Sequence, residues 1–147
     1  MRIRIRGRNL PGRSFVSDGE ALHNVHVGLQ EGKDPVGLVP GDASSATWDV
    51  DVGLKVDAYG DLDFRGPAVQ GRPGGRFVYL TWGDVGRDGS FTMFRRAKLM
   101  LGGIDPSIVR AAEDSGRPLL ADIDLTDDCG GPRCAQVHPP ALTWHAS

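Results

Sequence analysis

Apolar and polar residues alternate along several short stretches of the chain, a pattern typical of β-strands with one buried face. Residues 2–6 alternate arginine with isoleucine, and residues 25–29 alternate apolar with polar or small side chains. Residues 47–56 give the longest regular alternation, with Trp48 at the start of its apolar face. These three stretches predict three strands, each with one side against a core.

A β-hairpin is predicted at the centre of the sequence. The apolar runs 77–82 and 91–94 are rich in aromatic and β-branched residues, and glycine and aspartate dominate residues 83–89 between them. We expect the second strand to continue through residues 95–101, although a helical stripe of apolar residues also fits there. Pairing with the first run favours the strand.

The second strand of this hairpin raises a question about its cations. With strict alternation, Arg96 and Lys98 share one face with Phe94, while Arg95 shares the other face with Met93. One of the two arginines would then point inward. Burying an unpaired guanidinium is very costly, so we expect a buried carboxylate or a bound anion beside it.

The remaining patterns define the fold class. Asp105 followed by Pro106 starts a short helix, and Gly116 ends it. Twenty-one glycines and ten prolines spread over 147 residues suit many short strands and tight turns. We predict one mainly β domain over residues 1–147, an antiparallel β-barrel or β-sandwich of about eight strands with one short helix.

Charge and hydropathy exclude several classes of protein. The net charge of −2 argues against a general nucleic-acid binder. No run of 18 apolar residues exists, so we expect no membrane span. The N-terminal residues alternate charge with isoleucine and lack the apolar core of a signal peptide, so we expect a cytoplasmic location.

Two charged groups have both a structural and a functional interpretation. Arg2, Arg4, Arg6 and Arg8 would form a basic stripe along one strand face. We favour a solvated strand face, with a docking stripe for an anionic partner as the alternative. Asp49 and Asp51 could bind a divalent cation or share a proton, but pairing with those arginines explains them as well, and we prefer it.

The two cysteines give no clear site. Cys129 and Cys134 flank a Gly-Gly-Pro-Arg turn, and zinc would need two more ligands at a spacing that His138 and His145 do not match. Two reduced cysteines are the simplest interpretation, and a redox pair beside Arg133 is the alternative. We predict no metal site and no cofactor.

Aromatic residues provide the candidate ligand surface. Phe77, Tyr79, Trp82, Phe94 and Trp144 are enough to line a small-molecule pocket. They are also enough to form ordinary core, which is the interpretation we favour. The sequence contains no nucleophile elbow, no metalloprotease helix and no dinucleotide fingerprint.

The chain contains the segments FRGP, RFVYLTWG, FTMFRRAKLML, GGPRC and HPPALTW. Together they resemble an uncharacterised family of small actinobacterial proteins that is labelled only as a domain of unknown function, and the similarity extends over most of the chain. Because the family has no described activity, the resemblance implies no catalytic residue.

The leading hypothesis is a small-ligand protein, with a cofactor-independent cyclase or isomerase of specialised metabolism as its enzymatic form. Arg95 or Arg96 would stabilise negative charge, and Asp49, Asp51 or His138 would move a proton. The rival hypothesis is a non-catalytic interaction or regulatory module that docks through the basic N-terminal strand. A small organic ligand is the expected partner, and a homodimer is also considered.

Overall fold

The computed structural model describes residues 1–9, 16–17, 20–21, 25–40, 43–72, 75–124 and 142–147. Its elements, in chain order, are β1 (Arg2–Arg8), β2 (Val16–Ser17), β3 (Glu20–Ala21), β4 (Val25–Glu31), β5 (Asp34–Pro40), β6 (Ser45–Asp51), β7 (Lys55–Val56), β8 (Leu62–Asp63), β9 (Phe77–Val85), β10 (Phe91–Met100), α1 (Pro106–Ser115), β11 (Leu119–Asp124) and β12 (Leu142–Ala146).

The eight longer strands form two four-stranded sheets. The first sheet has the order β12-β11-β1-β6, and the second has the order β10-β9-β4-β5. Strands β1 and β11 are parallel, and the other paired strands are antiparallel. The predicted mainly β class is thus confirmed. Within the described ranges the sheets do not join into a closed barrel, so the arrangement is sandwich-like.

One hydrophobic core is shared by both sheets and the helix. Alternation places every second residue of each long strand on the inner face, as the isoleucines of β1 illustrate. The buried side chains from the first sheet are Ile3, Ile5, Trp48, Val50, Leu119, Ala121 and Ile123, those from the second are Val25, Val27, Leu29, Val78, Leu80, Trp82, Ala97 and Leu99, and those from the helix are Val109 and Ala112.

A single tryptophan joins the edges of the two sheets. Trp48 of β6 is 2% exposed, and its indole Nε1 donates a hydrogen bond to the carbonyl of Gly37 in β5 at 3.0 Å. The ring also lies close to the α-carbon of Gly37, where a Cβ would approach Trp48 Cδ1 within 3.0 Å. This bond fixes the position of β5 against the first sheet.

The long strand predicted over residues 47–56 is interrupted. Strand β6 ends at Asp51, and Gly53 donates its backbone N–H to the carbonyl of Arg65 at 2.6 Å instead of to a sheet neighbour. The strand resumes only as the two residues of β7. The predicted inner face is still correct, because Val52 and Leu54 are buried on both sides of the interruption.

The helix follows its sequence signals. The Asp105 side chain accepts a hydrogen bond from the backbone N–H of Ser107 at 2.9 Å, and Gly116 adopts the left-handed conformation at φ 66°. Both predicted ends are confirmed. In the described part of the chain, no helix has the length and apolar character needed to cross a membrane.

The strand prediction for residues 95–101 is confirmed up to Met100, and Arg96 and Lys98 share a face as predicted, but the prediction that Arg95 shares a face with Met93 is wrong. A bulge lies between Met93 and Arg95, so that Met93 pairs with Gly83 while Arg96 pairs with Thr81. Strict alternation fails across a bulge because one strand carries an extra residue. Met93 and Arg96 therefore share the outer face of the sheet.

Replacing Trp48 with phenylalanine tests the link between the sheets. Trp48→Phe should lower the free energy of unfolding by about 1–3 kcal/mol, since the carbonyl of Gly37 loses its buried donor. Urea denaturation followed by circular dichroism would measure this. The control Tyr59→Phe, at a side chain 91% exposed, should change stability by less than about 0.5 kcal/mol. Equal effects of the two variants would contradict the assigned link.

Candidate functional site

The outer face of the first sheet carries a ladder of arginine–aspartate pairs. Register places Arg4 opposite Asp49 on β6 and Arg6 opposite Asp122 on β11. Arg4 donates to the two carboxylate oxygens of Asp49 at 2.8 and 3.0 Å, and Arg6 donates to Asp122 at 2.6 and 2.8 Å. Both pairs have the bidentate geometry that makes arginine–carboxylate contacts strong and specific.

The ladder continues at both ends of β1. Arg2 lies 3.8 Å from Asp51, and Arg8 lies 3.1 Å from Asp124. The interpretation that Asp49 and Asp51 pair with the first strand is confirmed. Every arginine of the stripe faces a carboxylate, so this face is a neutralised surface rather than a free basic one.

Pairing also changes the chemistry of these carboxylates. The hydrogen bonds from Arg4 lower the pKa of Asp49, and those from Arg6 lower the pKa of Asp122. A carboxylate with a lowered pKa is a weaker base, so Asp49 is poorly suited to proton abstraction at neutral pH. No group of three or more potential metal ligands occurs among the described residues.

Cations on the outer face of the second sheet have a different environment. The Arg96 guanidinium lies over the Tyr79 ring at 4.3 Å, and the Lys98 ammonium lies over the Phe77 ring at 4.7 Å. The two rings contact edge to face at 4.8 Å. Neither cation has a carboxylate ion-pair partner within the described ranges. Cation–π contact holds both charges in place and leaves them unneutralised.

A groove of about 440 Å³ lies on the same face of the second sheet. Its floor includes Thr81, which is 2% exposed and donates its hydroxyl to the carbonyl of Gly28 at 3.1 Å. Arg96 on β10 is the register partner of Thr81 on β9, so Arg96 lies directly beside this floor. The residues around the groove are Gln30, Lys33, Asp34, Pro35, Leu38, Gly89, Phe91 and Met93.

Two glycines give the groove its shape. A Cβ at Gly28 would approach Leu38 Cδ2 within 2.9 Å, and a Cβ at Gly83 would overlap the Phe91 ring. Leu38 and Phe91 therefore lie against bare backbone on either side of Thr81. Glycine inside a strand commonly marks such a close approach, but the sequence analysis assigned Gly83 to the turn of the hairpin and did not use this signal.

The structure brings together some of the predicted site residues and separates others. Phe77, Tyr79 and Arg96 meet on the outer face of the second sheet. Trp82 is 0% exposed in the core, and Trp144 packs partly buried against the core from β12 of the first sheet. Asp49 and Asp51 lie on the outer face of the other sheet, away from Arg96.

Several predicted site residues lie outside the part of the chain that the structure describes. His138, Cys129 and Cys134 lie outside the described residues, as do the side chains of Phe94 and Arg95. Sequence reasoning did not select Leu38, Thr81, Phe91 or Met93 as site residues. Thr81, Phe91 and Met93 belong to the two apolar runs that were assigned to the predicted hairpin.

Comparison with known proteins gives a family but no function. The model described as a family of unknown function, DUF5990, matches residues 1–147. No curated protein and no solved structure matches the chain. The resemblance to an uncharacterised family is thus confirmed, and actinobacterial origin stays a prediction.

The ladder predicts a pH-dependent contribution to stability. The folded-state pKa of Asp49 is lowered, so its pairing stabilises the fold above the unfolded pKa of about 3.9 and is lost as pH falls through the folded value. Asp49→Asn should reduce the free energy of unfolding at pH 7 by about 1 kcal/mol or less, because the carboxylate is partly exposed, and by still less at pH 3.

Urea denaturation at both pH values would measure this difference. Asp51→Asn is the matched control, since the contact of Asp51 with Arg2 is longer, at 3.8 Å. Asp51→Asn should lower the free energy of unfolding at pH 7 by less than Asp49→Asn does. If Asp49→Asn lowered the free energy of unfolding by the same amount at pH 7 and at pH 3, the prediction would be contradicted.

Proposed function

Since the chain belongs to DUF5990, a family of unknown function, we propose from the geometry alone that it binds a small organic anion with an apolar body on the outer face of its second sheet. The apolar part would lie in the groove between Leu38 and Phe91. The anionic group would bind Arg96 at the side of the groove. This is a refinement of the small-ligand hypothesis.

The observation that carries the proposal is the contrast between the two sets of cations. Arginines on the first sheet are neutralised by aspartates, whereas Arg96 is held over Tyr79 and, among the described residues, forms no ion pair with a carboxylate. A guanidinium fixed in this way keeps its donors available for a carboxylate or phosphate, and less side-chain entropy is lost when the anion binds.

The groove is suited to a small ligand. Its volume of about 440 Å³ lies at the lower end of the range of roughly 300–1,000 Å³ for small-molecule sites. Leu38, Phe91 and Met93 supply apolar walls, and Thr81 uses its hydroxyl internally. Recognition of the anionic group would therefore depend on Arg96 and on Lys33, which lines the groove.

The cyclase or isomerase hypothesis is the enzymatic extension of this proposal. Arg96 would stabilise negative charge that develops on the substrate. Because Asp49 and Asp51 are on the other sheet, the proton acceptor would be Asp34, the carboxylate that lines the groove. The interaction-module hypothesis based on the N-terminal stripe has less support, because its arginines are already paired.

Calorimetric titration with a panel of benzoate-type carboxylates and aryl phosphates tests the proposal. At least one member should bind to the unmodified chain, and Arg96→Gln should weaken that binding about tenfold to a hundredfold, since one charge-assisted hydrogen-bond donor group is lost. Leu38→Asp should also weaken binding by placing a like charge and a polar group in the groove.

The matched control is Arg87→Gln, which removes the same charge from the exposed turn between β9 and β10. This variant should bind the same panel member with the affinity of the unmodified chain. Absence of binding across the panel at millimolar concentration, or equal losses for Arg87→Gln and Arg96→Gln, would overturn the proposal.

A further inference from the structure

Strand β10 has one backbone edge that no strand of the described residues covers. It is the terminal strand of the second sheet, and within that part of the chain its pairing partner is β9. The N–H of Leu101 donates to the carbonyl of Arg76 in the direction of β9, at 2.9 Å. Backbone groups alternate in direction along an antiparallel strand, so those of Arg96, Lys98 and Met100 face away from β9.

The side chains along this edge combine two cations with two exposed methionines. Met93 is 46% exposed and Met100 is 38% exposed, and they lie at the two ends of the outward row that contains Arg96 and Lys98. Methionine and arginine are enriched at protein interfaces, and methionine adapts its shape to a partner. The edge therefore carries unpaired backbone groups, positive charge and apolar surface together.

We propose that the open edge of β10 binds an extended acidic segment of a partner protein by strand addition. The segment would hydrogen-bond to the backbone of Arg96, Lys98 and Met100, with acidic side chains opposite the two cations and an apolar side chain opposite Met100. Strand addition draws its affinity from the backbone and its specificity from alternate side chains, and both features are present here.

Length and charge define the partner further. The bulge between Met93 and Arg95 limits regular pairing to residues 95–100, which corresponds to about six residues of the partner. A second copy of β10 paired antiparallel about Ala97 would place Arg96 opposite Lys98 of the copy, and Lys98 opposite Arg96 of the copy. Directly opposed like charges destabilise a strand pair, so an acidic segment fits better than a second copy.

This inference goes beyond ligand binding in the groove and shares only Arg96 with that proposal. Lys98 and Met100 do not line the groove, and the open backbone groups belong to the strand edge. The lysine and the bulge on this edge also limit indiscriminate pairing with other strands. The positive charges of Arg96 and Lys98 then select for a partner of opposite charge.

The test uses two labelled ten-residue peptides, one alternating valine with glutamate and one alternating valine with lysine, titrated into the full chain by fluorescence anisotropy. The glutamate peptide should bind at least about tenfold more tightly than the lysine peptide. Lys98→Gln removes the charge, whereas Lys98→Pro removes both the charge and the outward N–H. Lys98→Pro should bind more weakly than Lys98→Gln.

Amide hydrogen exchange on the unmodified chain gives a second measurement that does not depend on a variant folding. Saturation with the glutamate peptide should slow exchange at Arg96, Lys98 and Met100 by tenfold or more. Unchanged exchange at these amides, or equal binding of the two peptides, would overturn the proposal, as would equal affinities of Lys98→Pro and Lys98→Gln.

Leu38→Asp separates this proposal from the groove. It should weaken binding of the organic anions and leave peptide affinity unchanged. Loss of peptide binding in this variant would show that the groove, rather than the edge, holds the peptide.

Discussion

The alternation of isoleucine and arginine along β1 is the constraint on which the rest of the first sheet depends. Ile3 and Ile5 are fully buried in the core, so the intervening arginines must face outward. Register then sets Arg4 against Asp49 and Arg6 against Asp122, which joins β1 to one strand from the middle of the chain and one near its end. Exposed ion pairs contribute little energy each, but two bidentate pairs on opposite sides of one strand favour a single register. A slip by one residue would bury the arginines and expose the isoleucines.

Neutralisation of the first sheet bears on where the proposed anion site can lie. The net charge of −2 conceals an uneven distribution, because aspartates pair with the arginines of β1, while no carboxylate of the described ranges forms an ion pair with Arg96 or Lys98. Cation–π contacts orient Arg96 and Lys98 without cancelling their charge. The spacing of the N-terminal arginines in the sequence indicated a basic stripe on β1. Because strand pairing neutralises that stripe, the cations without an observed carboxylate partner are those on the second sheet.

Local patterns in the sequence were sufficient for the helix, for several of the long strands and for the pairing of Asp49 and Asp51 with β1, but not for the pairing of Arg6 with Asp122. Asp105 and Gly116 mark the helix ends through interactions within a few residues, and period-two alternation gives the inner faces of the strands. The bulge beside Met93 and the interruption at Gly53 were not predictable, because each depends on a neighbour distant in sequence, such as the carbonyl of Arg65. The groove depends on Gly28 and Gly83 meeting side chains of other strands, and sequence alone does not identify those partners.

The aromatic run of β9 shows why one strand can serve both the core and the candidate site. We expected Phe77, Tyr79 and Trp82 to act together, either as core or as a pocket. Alternation divides them, so that Trp82 fills the interior while Phe77 and Tyr79 remain on the outer face as platforms for the cations. Because the inner half of the strand is fixed by packing, the outer half is held rigidly as well. A binding surface built on a packed strand loses little conformational entropy when it is occupied, which is why we propose binding on the outer face of the second sheet and not on its loops.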